Sequence, residues 1–227
     1  LVAETSRLAR LYRVAAEWFA RHGSEYRTTD HAGALFAEKV LCAWHDAHIA
    51  RAQELEQHAQ GVNATRILRE YRRLAALFQV EISSFERKRY VNLSHEPNKA
   101  MNLNSYIELL GKHWKEAASA HGLQLLQAKS ARNARYIPDS DFLITLDADS
   151  VLLPDYASKL IHYMLQPGNE KVAVAQTPYS AIPGAPGTLE RIAGATTDIQ
   201  YIIHQGFSRH NATFWVGANA LLRKSSL

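Results

Sequence analysis

Asp141-Phe142-Leu143-Ile144-Thr145-Leu146-Asp147-Ala148-Asp149-Ser150 is the stretch on which the fold turns. From Asp141 to Leu146 it is an apolar run of strand length that ends in acids, which reads as a buried parallel strand with its C-terminal end open to a ligand. Downstream, Pro154 to Gln166 reads as a helix with proline in its first turn. Val172 to Ala175 reads as a second buried strand, followed by a Pro/Gly loop from Pro178 to Gly187. Thr188 to about Arg209 is expected to be helical, and the apolar stretch Thr213 to Arg223 a strand, or a strand running into a helix. Upstream, Lys99 to His121 reads as a long helix entered through the Pro97-Asn98 turn, and Phe78 to Ser83 and Tyr90 to Leu93 as short strands. Strands alternating with helices predict an α/β sheet with ligands at the strands' C-terminal ends.

Before about Phe78 the grammar differs. Ala, Leu, Arg and Glu dominate from Val2, proline is absent, and Leu8, Leu11, Val14, Ala15 and Trp18 recur at spacings of three and four, which predicts helices with breaks near Gly23 and Gly61. Asp30 is placed to cap a second segment that runs to about Gln60 and carries Leu35, Phe36, Val40, Leu41 and Trp44. In the third segment, Asn63 to about Phe78, the cations Arg66, Arg69, Arg72 and Arg73 read as a solvated face rather than an anion site. Two domains are therefore expected: a helical region, residues 1–78, and an α/β region, residues 79–227.

The chain has 227 residues, 47% of them apolar and 21% charged, enough for a packed core and too apolar for wholesale disorder. Its net charge of +4 is spread thinly, with an excess of three before residue 90 and one after. Nucleic-acid binders concentrate basic charge on one stripe, so no nucleic-acid partner is expected. The single cysteine, Cys42, excludes an internal disulfide framework and CxxC motifs, and reads as a small buried residue on an apolar helix side. No run of about 18 apolar residues is present, so no spanning helix is expected. The chain starts at Leu1 without a signal-peptide pattern, as an excised section would.

Three stretches carry chemistry. Asp147 and Asp149 stand at i and i+2 directly after the apolar strand, where their charges repel unless a cation lies beside them. Oxygen ligands select a hard ion, Mg²⁺ or Mn²⁺, completed by substrate phosphates; alternatively the acids cap the next helix. In Asn98-Lys99-Ala100-Met101-Asn102-Leu103-Asn104 a lysine stands at a helix start that already favours negative charge, and an anionic ligand would account for it; alternatively Lys99 is an exposed lysine beside cap-forming asparagines. Gln176-Thr177-Pro178 ends a strand, and Thr213-Phe214-Trp215-Val216-Gly217-Ala218-Asn219 could offer an aromatic wall with close backbone approach, as a sugar site needs. For Phe214 core packing is the simpler reading, while Trp215 is open. His45 and His48, at i and i+3 on a polar helix without a third ligand, read as surface residues rather than a zinc site. Asn92-Leu93-Ser94 and Asn211-Ala212-Thr213 fit the glycosylation triplet, which matters only in a secreted chain.

In order and spacing over roughly residues 85–227, these motifs resemble the processive family 2 glycosyltransferases, the cellulose-synthase-like group. The family's KAGNLN matches Lys99 to Asn104 with Met101 in place of glycine, its DxD matches Asp147 to Asp149, its QTP matches Gln176 to Pro178, and its FxxG matches Phe214 to Gly217. The resemblance implies a GT-A-like fold with a mixed, mainly parallel sheet, here incomplete. It implies Lys99, Asn102, Asn104 and Asp147 on the donor, Asp147 and Asp149 on Mg²⁺ or Mn²⁺, and Gln176, Phe214, Trp215, Val216 and Gly217 on the acceptor side.

The implied reaction moves a hexose from a nucleoside-diphosphate sugar, UDP-sugar by preference, to a growing polysaccharide or other glycan with inversion. The family's first aspartate motif has no counterpart before residue 85, and its TED general base, its QxxRW motif and its membrane helices are expected beyond Leu227. No catalytic base is therefore expected within the chain, which would act as an inactive internal piece of a multi-pass protein at the cytoplasmic face of the inner (plasma) membrane. Two alternatives stand beside this reading: a non-catalytic partner-binding or oligomerisation module built on the helical residues, and a sugar-phosphate nucleotidyltransferase, whose Gly-rich basic loop is not found.

Overall fold

The computed structural model describes residues 1–177, 180–210, 212–217 and 219–227. Pro178 of the Gln-Thr-Pro motif, Tyr179 in the loop after it, Asn211 of the second glycosylation triplet and Ala218 lie outside the described residues. The chain forms two compact units interleaved in sequence: residues 1–81, 149–158 and 178–213 make one, residues 82–148, 159–177 and 214–227 the other.

The first unit is helical: α1 (Val2–Glu25), α2 (His31–Phe36), a π-helical segment (Ala37–Cys42), α3 (Ala43–Gln57) and α4 (Ala64–Phe78). Leu8, Ala9 and Tyr12 of α1 bury one stripe against Ala52, Leu55, Val62 and Ile67, the 3.6-residue periodicity made into a core. Asp30 caps α2 by accepting the Gly33 N–H at 2.7 Å, and Asn63 caps α4 by accepting the Arg66 N–H at 2.8 Å. The breaks fall where they are expected: α1 ends at Glu25, two residues past Gly23, and the second interruption is the single 3₁₀ turn Ala59–Gly61. Two expectations fail: Cys42 is exposed, and His48 is buried rather than on the surface, among the rings of Tyr12, Phe19 and Trp44. The unit also contains α7 (Thr188–Arg209), with the bounds its periodicity predicts.

In the second unit, α5 (Lys99–Ile107) is followed by strands β1 (Lys112–Ser119), β2 (Gly122–Gln127), β3 (Arg135–Ile137) and β4 (Phe142–Thr145), then α6 (Tyr156–Met164, entering from the first unit), β5 (Val174–Gln176) and β6 (Ala220–Arg223). The long helix expected from Lys99 to His121 is half right. It stops at Ile107, and Gly111, at φ 75°, turns the chain into a hairpin in which Ser119 pairs with Gly122. Tertiary pairing of Trp114 and its neighbours overrides the helix propensity of Lys-Glu-Ala-Ala. Phe78 to Ser83 and Tyr90 to Leu93 are not strands. Instead the Val91 N–H bonds the Leu123 carbonyl at 2.9 Å, and the Asn92 amide donates to the Leu125 carbonyl (2.9 Å) and accepts its N–H (3.0 Å), so these residues cover the open edge of β2. Asn92 is thus committed to the backbone rather than free to carry a glycan.

The mainly parallel sheet is also corrected. Both three-stranded sheets, β2-β1-β3 and β4-β6-β5, are antiparallel in every pairing. β4 and β5 do run the same way, as a helical crossover requires, but β6 returns between them with Ala220, Leu221 and Leu222 fully buried. An apolar run reports burial on both faces and is silent about the direction of its neighbour. Among the described residues no helix is long and apolar enough to cross a membrane.

Candidate functional site

The register of β4-β6-β5 explains why distant motifs meet. Thr145, the last residue of β4, pairs with Ala220, the first of β6, and Ala220 also pairs with Gln176, the last of β5. One end of the sheet therefore presents the residues after β4, the end of β5 and the residues before β6: Leu146-Asp147, Gln176 and Phe214 to Gly217. The other end is locked by Arg223, which donates to the carbonyls of Val172 (3.1 Å), Met164 (2.9 Å) and Asn169 (3.1 Å) and lies 5.2 Å over the Phe142 ring.

Lys99, the first residue of α5, joins this edge by an ion pair with Asp147, 48 residues away in the sequence. Both partners are about half exposed. Asn98 caps the helix, accepting the Met101 N–H at 2.8 Å, so the cap-forming reading of that asparagine holds beside the pairing of its lysine neighbour. Asn102 and Asn104 are exposed at residue level, but the Asn102 carboxamide oxygen accepts from Arg87 Nε at 2.9 Å. On the same helix face as Lys99, Asn102 and Tyr106 border a cleft of about 740 Å³ whose other wall is Phe85, Arg87, Lys88 and Arg89.

On the acceptor-side segment, Gln176 Oε1 accepts the Val216 N–H at 3.2 Å, tying the end of β5 to the residues before β6. Gly217 has φ 91°, a conformation that any side chain would strain, which accounts for the glycine of this motif. Phe214 is 59% exposed, contrary to the core packing its type favours. Trp215 is half buried, and its indole Nε1–H is enclosed without a hydrogen-bond partner. Thr145 Oγ1, one residue before Leu146-Asp147, is in the same state. Asp149 is exposed and belongs to the other compact unit. Among the described residues no three or more His, Cys, Asp or Glu side chains gather into a protein metal cage.

Sequence reading missed Arg87, Thr145 and Asn92. Arg87 stood in a basic run, Arg87-Lys88-Arg89, that looked like surface, yet it is 3% exposed. A hint lay in the polar segment from Asn92 to Asn98, whose backbone carbonyls need donors.

With this geometry in hand, residues 142–227 are found to match the model of the family described as Glycosyl transferase family group 2. The likeness to family 2 glycosyltransferases is confined to this C-terminal stretch, less than half of the chain. It spans β4, Asp147, Asp149, Gln176 and the Phe214 to Gly217 segment, and suggests glycosyl transfer. The mixed α/β architecture is consistent with a GT-A-like fold. Comparison with curated proteins and with solved structures found no match.

Proposed function

We propose that this chain is the donor-binding part of a metal-dependent, inverting, cellulose-synthase-like hexosyltransferase that uses a UDP-sugar to extend a polysaccharide or other glycan. The observation that carries the reading is the Lys99–Asp147 pair, which joins two separately recognised motif residues at the end of the sheet where β5 also ends in Gln176.

The residues suit a hard divalent ion. Asp147 and Asp149 offer carboxylate oxygens two residues apart, Asp147 already attracts a cation in the form of the Lys99 ammonium, and a donor diphosphate with waters would complete the shell. Mg²⁺ or Mn²⁺, when bound, supplies Lewis-acid stabilisation of the departing diphosphate.

The protein's own groups do the rest. Lys99 exchanges its carboxylate partner for a diphosphate oxygen and neutralises charge as the anomeric C–O bond breaks. Asn102 lines the donor side of α5, with Asn104 two residues further on toward another face of the helix, and the cleft bordered by Tyr106 and Phe85 gives room for the nucleoside. Phe214, Trp215, Val216 and Gly217, braced by Gln176, hold the acceptor sugar so that its hydroxyl oxygen approaches the anomeric carbon opposite the leaving group. The hydroxyl proton passes to a carboxylate outside the residues assigned here, acting as general base. The parent protein would work at the cytoplasmic face of a membrane.

Titration calorimetry with UDP and Mn²⁺ tests the assignment. Binding is expected to weaken at least tenfold in Asp147→Ala and Asp149→Ala; equal binding by wild type and both variants would remove the metal site.

A further inference from the structure

Arg87 is buried, and a buried guanidinium is tolerated only where its donors are matched. Each of its three donor nitrogens has a partner. Nε donates to Asn102 Oδ1 at 2.9 Å, Nη1 to the Ser94 carbonyl and Nη2 to the Glu96 carbonyl. None of these partners is a charged side chain. The fork is used to gather polar backbone and a neutral amide, an arrangement a lysine cannot reproduce, because a point ammonium lacks the planar fork.

What it gathers matters. The Glu96 carbonyl that receives Nη2 also accepts the Asn98 N–H at 2.9 Å. Asn98 caps α5, and the next residue is Lys99. Asn102 lies one turn further along the same helix face. Arg87 therefore holds both the chain entering α5 and the helix's first turn, on either side of the lysine. Lys99 itself is half exposed, and among the described residues its ammonium is fixed by the Asp147 carboxylate. Its aim depends on where its backbone is held.

We infer that Arg87 is a positioning residue that sets the Lys99–Asp147 pair by clamping residues 94–96 and Asn102 around the start of α5. The clamp acts through backbone placement and touches neither partner of the pair. It makes Asn102 a structural latch on α5 whose side chain is engaged before any ligand arrives. The inference rests on the ion pair and its supports, so it stands whether or not the pair binds a nucleotide sugar.

The test uses the full chain with ¹³C,¹⁵N-labelled lysine. The Lys99 side-chain resonances are assigned by Lys99→Met, and Asp147→Asn gives their position when the pair is broken. Arg87→Lys is expected to move them to the Asp147→Asn position with far-UV circular dichroism unchanged, and Asn102→Ala to move them part of the way. Arg87→Met should do the same if it folds; if it does not, Arg87→Lys and Asn102→Ala decide. Lys99 resonances that stay at the wild-type position in both would overturn the inference.

A binding cycle adds a readout that general loosening would not reproduce. Where UDP with Mg²⁺ binds, Arg87→Lys should weaken it about tenfold in wild type and not at all in the Lys99→Met background. An equal loss in both backgrounds would overturn the clamp. Absence of UDP binding in wild type would count against the donor reading alone, and the resonances would still decide the role of Arg87.

Discussion

Two ion pairs, one in each unit, do opposite work. Arg51 and Glu70, in the helical unit, are 23% and 2% exposed. Glu70 also takes the Tyr12 hydroxyl at 2.7 Å and Arg51 Nε at 3.0 Å, so both of its oxygens are engaged. Burial alone would raise the Glu70 carboxyl, but the hydrogen bonds from Arg51 and Tyr12 prevail and hold it below the ordinary carboxylate range. Lys99 and Asp147, at the sheet edge, are 45% and 46% exposed and keep donors and oxygens to spare. A saturated buried pair specifies how helices fit together, whereas a half-exposed pair can trade either partner for a ligand at low cost.

Breaking the first pair should have the largest effect. Glu70→Ala leaves the Tyr12 phenol enclosed without its acceptor and leaves Arg51 with Glu54 alone, and is expected to cost about 3 kcal/mol. The loss would be read from urea midpoints by circular dichroism at 222 nm, to which α1, α3 and α4 contribute. If Glu70→Ala proves as mild as a surface substitution, the contrast between the pairs is wrong.

Gly217→Ala comes next. Among the described residues, chain neighbours aside, no atom lies within 4 Å of the added methyl, so the cost is that of backbone strain at φ 91°, about 1–2 kcal/mol. This variant sharpens the comparison from the site's side, because it should disturb the acceptor-side segment while leaving Lys99 and Asp147 paired. Thermal midpoint and the environment of Trp215, followed by fluorescence, would report it.

The helical unit should also carry a pH signature. Burial, the main cause, pushes His48 below the usual imidazole value, with Arg73 and His45 adding to it and the bond to the Trp44 carbonyl (2.6 Å) opposing it. The unfolded chain then takes up a proton that the folded chain refuses. Stability from this group is full above the ordinary histidine pKa of about 6.5 and falls as pH drops from there toward the folded value. The sharpest check is the fall in thermal midpoint between pH 7.5 and 5.5, which should be smaller in His48→Gln than in wild type.

The sequence showed these differences unevenly. Period and caps were legible: Asp30, Asn63 and Asn98 all cap helices as their types predict, and α7 has its expected bounds. Strand direction was not, because the partner of β4 lies some 75 residues downstream in β6 and an apolar run looks alike in either orientation. The hairpin of β1 and β2 was hidden because Lys115-Glu116-Ala117-Ala118 has helical propensity, and only Gly111 and Gly122 marked its ends. Of the candidate site, Lys99 stood out as a cation at a helix start and Asp147 as one of two close carboxylates, while Gln176 and Gly217 drew notice through the motif order. The supports around them were not visible. Arg87 and Asn92 act through backbone carbonyls and amides, which every residue carries and no motif records.

The smallest expected change in stability completes the comparison. Lys99→Met keeps a long, flexible, helix-compatible side chain at the start of α5 and removes only the charge. Its partner Asp147 is half exposed and regains water when the ammonium leaves, so the variant should lie within about 0.2–1 kcal/mol of wild type. It should also lose the salt dependence that an exposed pair confers. The same substitution should weaken UDP binding in the presence of Mg²⁺ tenfold or more, because a diphosphate would meet a thioether where it needs a cation. A large effect on binding with a small one on stability is the mark of a charge kept for a ligand, and Arg51, buried against Glu70, should show the reverse. If Lys99→Met instead melts as far below wild type as Glu70→Ala and binds UDP unchanged, the two pairs have been assigned the wrong way round.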